Sequence, residues 1–178
     1  DAAGSAYLTG VAMSDEASFP VTLGPDLTHN GVIDTAVVKV APDGDDLAYA
    51  GFLGGELTDF GEGIRVGADG SAYLHGIAMS TEATFPVKVG PDLTFNGETD
   101  AFVAKVRPVP DAADVRDNLD YAGYVGGDGS DITLVQDGTY STVSSGHIAI
   151  DDAGALYVSG ETTSLPDTFP DGDGLGDL

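Results

Sequence analysis

A chain of 178 residues, 42% of them hydrophobic, has enough apolar material for one ordinary domain and too much for a disordered segment. Its 30 acidic residues against 6 basic ones give a formal charge of −24, a field that repels nucleic acid and anionic membrane and favours cationic partners. With no cysteine there is neither a disulfide framework nor a thiolate metal site, and no apolar run approaches the length of about 18 residues that a membrane-spanning helix needs.

The acidity has two readings that are compatible with each other: carboxylates that chelate Ca²⁺, or an acidic surface that keeps the protein soluble in high salt. The 26 glycines sit at intervals between short apolar runs and so punctuate strands. No signal-peptide pattern opens the chain. It starts inside a repeat, as expected of a piece of a longer protein.

Taken in order, the chain opens on GSAYLTG at 4 to 10, a run that returns as GSAYLHG at 70 to 76 and GALYVSG at 154 to 160. A recurring Gly turn followed by an alternating run marks a repeat architecture. Behind the first copy come a polar link (VAMSDEAS), then FPVTLGPDLTHNGVID and TAVVKVAP. Behind the second come IAMSTEAT, FPVKVGPDLTFNGETD and AFVAKVRP, so Phe19-Pro20 matches Phe85-Pro86 and Lys39 matches Lys105. LAYAGFLGG (47 to 55) and LDYAGYVGG (119 to 127) follow, then GIRVGADG (63 to 70) and HIAIDDAG (147 to 154).

These apolar runs are short, rich in Val, Ile, Tyr and Phe, and bounded by Gly, Pro, Asp or Asn, which predicts strands. In TAVVKVAP and AFVAKVRP the apolar residues Val38, Val40, Phe102, Ala104 and Val106 keep period two, with Lys39 and Lys105 on the opposite parity. GADGSAYL and DDAGALYV predict tight hairpins whose Gly supplies a positive φ. No segment predicts a helix, because VAMSDEAS and IAMSTEAT are short and stop at Phe-Pro. Strands near 5, 35, 47, 63, 71, 101, 120, 147 and 155 are expected.

Four short antiparallel strands per repeat make a propeller blade. The fold expected is all-β, with two four-stranded blades in tandem plus one further strand, open or completed by neighbouring chains. The organisation is a partial repeat over 1–34, a first blade repeat and link over 35–100, a second over 101–170 with an inserted hairpin at 128–145, and an acidic tail at 171–178. Within the insertion an Asp-Gly turn separates ITLVQ from TYSTVSS.

The order of TDAFVAKV (99 to 106), YAGYVGG (121 to 127), IAIDDAGALYVSG (148 to 160) and the Phe-Pro pairs resembles the bacterial and archaeal β-propeller repeat called SBBP, found mainly in large secreted or surface-attached proteins. The resemblance covers the chain except 128–145 and the tail after Pro170. It implies a propeller-type sheet and an extracellular, cell-surface setting, and it implies no catalytic residue.

Candidate chemistry is acidic. In the tail, Asp171, Asp173 and Asp177 alternate with Gly, the pattern by which a loop curls oxygen ligands around a hard cation. It is similar to the DxDGLxD loops of calcium-binding repeats, although Phe169 stands where the longer form has a further Asp; the alternative is an acidic linker. After each Gly-Gly comes an acid pair three apart, Glu56 with Asp59 and Asp128 with Asp131. Each GPDL loop adds Asp26, Asn30 and Asp34 or Asp92, Asn96 and Asp100, residues that bind Ca²⁺ or close Asx turns on their own backbone.

His29, His75 and His147 fall in different phases of the repeat without metal-ligand spacing. No GxSxG elbow accompanies the many Ser and Thr, and no spacing selects a glycosidase pair among the acids. Tyr7, Tyr73 and Tyr157 share one strand position and suit packing between blades. The function expected is a non-enzymatic extracellular structural or adhesive module, braced by calcium and joined head to tail with identical chains into a surface fibre or layer. The alternative is a carbohydrate-binding module, or the non-catalytic part of a polysaccharide-degrading propeller enzyme, with surface glycans as partners.

Overall fold

The structure is a computed structural model that describes residues 1–110, 112–131 and 147–169, with the backbone of 135–136 and 139–140. It is all-β. The expected runs all form strands: β1 (Ala6–Ala12), β2 (Asp34–Val40), β3 (Leu47–Leu53), β4 (Asp59–Val66), β5 (Ala72–Ala78), β6 (Asp100–Val106) and β7 (Leu119–Val125). Within the insertion, β8 (Val135–Gln136) pairs antiparallel with β9 (Thr139–Tyr140), and β10 (His147–Ile150) and β11 (Leu156–Ser159) follow. The one helical element among the described residues is a 3-10 turn, Val115–Asn118, capped by Asp114. No helix there is long and apolar enough to cross a membrane.

The strands divide into antiparallel sheets in the orders β1-β2-β3, β4-β5-β6-β7 and β10-β11. That corrects the expected grouping of two fours and one. Sequence order suggested that β2 to β5 form one blade. The boundary instead falls after β3, where Gly54-Gly55 ends one sheet and the chain crosses to begin the next at Asp59. The complete unit therefore runs from a GIRV-type strand to a YAGYV-type strand. The first sheet lacks its opening strand, and the third consists of the first two. No closed propeller ring is formed by the described strands.

Register repeats with the sequence. Ala6 to Ala12 pair with Val40 to Asp34, and Ala72 to Ala78 pair with Val106 to Asp100, residue for equivalent residue. The turns entering β1, β5 and β11 share one geometry, with Gly4, Gly70 and Gly154 at φ of 95°, 79° and 83°, a conformation that costs a residue with a Cβ but not glycine.

The three sheets stack. Val37, Tyr49 and Leu53 of the first join Leu74, Phe102, Ala104, Val106 and Tyr124 of the second in one core. Between sheets, β4 is the pivot, packed against β1 and β2 on one side and β10 on the other. A bulge at Glu62 lets it face both ways: Gly61 abuts Thr9 and Thr35, whereas Gly63 abuts His75 and Ile148. Along the outer edge of β3 the link through Thr22 and Asp26 pairs with Ala50 and Phe52, and Asp92 pairs with Tyr124 on β7. The FPVTLGPDL-type links thus cover sheet edges that would otherwise present unpaired backbone.

Candidate functional site

Each Gly-Gly turn at a sheet boundary carries a buried aspartate three residues beyond its second glycine's successor, Asp59 in one copy and Asp131 in the next. Asp59 accepts from Gly55 N at 2.8 Å, from Met79 N and Ser80 N at 3.1 and 3.2 Å, and from Ser80 Oγ at 2.7 Å. Asp131 repeats the arrangement a sheet later, accepting from Gly127 N at 2.7 Å, from Thr162 Oγ1, and from Ser164 Oγ at 2.7 Å. The same serines accept from the turn's backbone, Leu57 N on Ser80 Oγ and Gly129 N on Ser164 Oγ, both at 3.0 Å. A carboxylate served by several donors holds its geometry firmly. Each aspartate therefore latches the turn to the loop that follows β5 or β11.

The partner in each predicted acid pair does something else. Glu56 is exposed, and its N–H donates to Thr84 Oγ1 at 3.2 Å. Asp128 is exposed too, and accepts from Thr168 Oγ1 at 2.7 Å and Leu165 N at 3.2 Å, contacts that hold its carboxyl below the usual range. Glu56 and Asp128 are thus exposed where Asp59 and Asp131 are buried. Asp171, Asp173 and Asp177 lie outside the described residues. Among those residues no group of three or more His, Asp or Glu converges on one point.

Two of the GPDL-loop acids, grouped by sequence with Asp26, Asn30, Asp92 and Asn96, stand beside the latches. Asp34 and Asp100, the first residues of β2 and β6, are fully buried. In each, Oδ2 accepts one backbone N–H, from Asn30 at 2.8 Å and Asn96 at 2.9 Å, and Oδ1 has no hydrogen-bond partner among the described residues. The neighbouring Asp26 and Asp92 are different. They close Asx turns on Thr28 N and Thr94 N and bond Asn30 and Asn96 side chains, which is local backbone chemistry.

Asp34 approaches Asp59 across Gly54. A Cβ there would stand 2.5 Å from Asp34 Oδ1 and 3.1 Å from Asp59 Oδ2. Across Gly126 the same position meets Asp100 Oδ1, with Asp131 Oδ2 at 2.8 Å. Glycine is what allows the carboxylates so near the chain. Burial, with the Asp59 charge adding to it against the Asn30 hydrogen bond, raises the carboxyl of Asp34; burial and the Asp131 charge push that of Asp100 up to about 7. Asp59 is raised by burial as well, against the pull of its donors. Both pairs are sealed from solvent, so neither is placed to exchange protons with a sugar bound at the surface.

The three histidines have different surroundings. His29 Nε2 lies 3.1 Å from Ala12 O, with the ring edge-on to Phe52. His147 is exposed. His75 is buried, with Nδ1 3.9 Å from Glu62 Oε2, and neither of those atoms has a closer partner. Tyr7 bridges sheets by donating from Oη to Gly70 O at 3.0 Å, and Tyr73 is buried, whereas Tyr157 is exposed. Compared with models of known protein families and with curated proteins, the sequence has no match.

Proposed function

We propose that this chain is a non-enzymatic structural repeat module of the cell surface, built of propeller-type blades that extend by stacking with further copies. The observation that carries the reading is the open end of the first sheet. Ser80 and Ser164 each receive a latch aspartate from the preceding Gly-Gly turn; Ser14, at the same position of the repeat, is exposed. Leu8 and Val11 are exposed beside it, although their equivalents Leu74 and Ile77 are buried, and Met13 is exposed where its equivalent Met79 is half-buried. One edge of β1 also lacks the strand that β4 supplies to β5. The surface-protein setting rests on the resemblance to SBBP repeats.

What would cover this edge has a defined chemistry, a GIRV-type strand and a GGxxxD turn, whether a further repeat of the same covalent chain or another copy supplies it. Strand β10 and Asp131 of another copy have both, currently matched with β11 and Ser164 of their own chain. β11 has four residues and is largely exposed, whereas β1 has seven. Exchanging the neighbour's β1 for β11 would complete a four-stranded sheet and bury more apolar surface. Such a head-to-tail contact need not close, so it propagates.

Sedimentation velocity over a concentration series tests this. Concentration-dependent oligomers are expected, and Leu8→Asp with Val11→Asp should abolish them while leaving the monomer folded. A parent chain that stays monomeric at millimolar concentration, or a doubly substituted chain that assembles as before, overturns the reading.

A further inference from the structure

The two aspartate pairs are more than latches. Asp59 and Asp131 have their donors; Asp34 and Asp100 each keep one carboxylate oxygen, fully buried, with none among the described residues. A buried acceptor without a donor costs free energy, and a buried carboxylate costs more. The same arrangement occurs twice in the chain, in copies whose neighbours differ: the residue before Asn30 is His29, whereas the residue before Asn96 is Phe95. The unpartnered oxygen is therefore a property of the repeat and not an accident of one loop.

What faces these oxygens is oxygen. Asp34 Oδ1 has Asp59 Oδ2 across Gly54, and both it and the Gly55 carbonyl border the side-chain position of Gly31, at 2.9 and 2.6 Å. In the second copy, Asp100 Oδ1 has Asp131 Oδ2 across Gly126, and the Gly127 carbonyl borders Gly97 at 2.8 Å. Among the described residues, neither the Gly55 nor the Gly127 carbonyl accepts a turn hydrogen bond. No Lys or Arg among the described residues forms an ion pair with any of the four aspartates. Two buried carboxylates and a carbonyl, without nitrogen or sulfur, are the donor chemistry of a hard divalent cation.

We propose that each Asp34–Asp59 and Asp100–Asp131 pair holds a Ca²⁺-class cation, with the free Oδ1 of Asp34 or Asp100 as principal ligand and the Gly55 or Gly127 carbonyl beside it. The cation neutralises the pair at the boundary between consecutive sheets, so its occupancy governs how firmly one sheet is held on the next. The proposal stands whether or not copies assemble. It places the repeat's cation sites at these pairs instead of at Glu56 and Asp128.

Isothermal calorimetry with CaCl₂ on the chelator-stripped full chain tests it, in a background carrying Asp171→Asn, Asp173→Asn and Asp177→Asn so that the tail contributes no carboxylate. Two ions per chain are expected, with dissociation constants of about 10⁻⁴ to 10⁻³ M, the range of extracellular calcium modules. Asp34→Asn should leave one ion and Asp34→Asn with Asp100→Asn none. Melting temperature should rise with Ca²⁺ in the parent and not in the double variant. Asn keeps the shape and removes the charge, and circular dichroism reports whether each variant is folded. Absence of binding by the parent up to 10 mM Ca²⁺, on the order of ten times the weakest dissociation constant, overturns the proposal. So does a parent whose melting temperature responds to acid but not to Ca²⁺, which means that the pair shares a proton. Unchanged stoichiometry in a folded double variant overturns it as well.

Discussion

Leu8 and Leu74 hold the same position of the repeat, in seven-residue strands paired to their neighbours in the same register, yet Leu8 is 51% exposed and Leu74 is fully buried. Val11 and Ile77 differ in the same way, at 51% and 0%. Local sequence therefore decides the strand, the turn and the pairing. Burial is decided by what stacks on the sheet, because a sheet face becomes core only when another sheet covers it. The second sheet is covered on both faces and the first on one. Identical substitutions at equivalent positions should consequently have unequal effects in the two sheets.

The largest difference is expected for the leucines. Leu74→Ala should cost about 2 to 5 kcal/mol, the range for deleting a buried leucine side chain, while Leu8→Ala should stay within about 0.5 kcal/mol as a surface change. Chemical denaturation of dilute protein reads both. Equal losses would mean that the first sheet is covered even in the monomer.

The glycines sharpen the same contrast without removing apolar area. A Cβ on Gly76 would run into the Phe60 carbonyl and stand 2.6 Å from the Phe102 ring, whereas one on Gly10 meets nothing within 4 Å. Gly76→Ala should destabilise by about 1 to 3 kcal/mol or more through overpacking. Gly10→Ala should be neutral or stabilise by about 0.4 to 1 kcal/mol, by narrowing the unfolded ensemble.

Position 9 in the first sheet is Thr and its equivalent in the second is His75. Burial chiefly, then the charges of Arg65 and His147, lowers the His75 pKa, with Glu62 facing it. The unfolded chain then binds more protons than the fold below about pH 6.5, so stability present above that pH is lost as pH falls. His75→Thr should flatten the dependence of melting temperature on pH between about 7 and 5 relative to the parent, the other groups being common to both chains. A parallel pair of curves would mean that His75 keeps the same pKa in both states.

The smallest effects belong to the paired lysines. Lys105 lies 3.1 Å from Asp69, 3.2 Å from Asp120 and 5.1 Å from the Tyr73 ring centre; Lys39, among the described residues, has only Asp1 at 3.3 Å and the Tyr7 ring at 4.9 Å. Partly exposed pairs of this kind contribute about 1 kcal/mol or less. Lys105→Ala should cost more than Lys39→Ala, and both differences should shrink in high salt.

The all-β class, the positions of the strands, the inserted β8-β9 pair and the glycine at each entering turn were legible in the residues alone. These depend on period-two alternation, β-branched composition and φ > 0, which are local properties. The sequence also placed Asp59 and Asp131 among the residues of interest, because the Gly-Gly turn and its acid recur. That β3 and β4 belong to different sheets emerged only from the folded chain, since adjacency in sequence does not say whether a chain returns along its own sheet or crosses to the next. Only the tertiary structure separated Asp34 and Asp100 from Asp26 and Asp92. All four are aspartates of the same repeated loop, and what distinguishes them is the close approach of a second carboxylate across Gly54 or Gly126, a contact made between segments that sequence spacing leaves more than 20 residues apart.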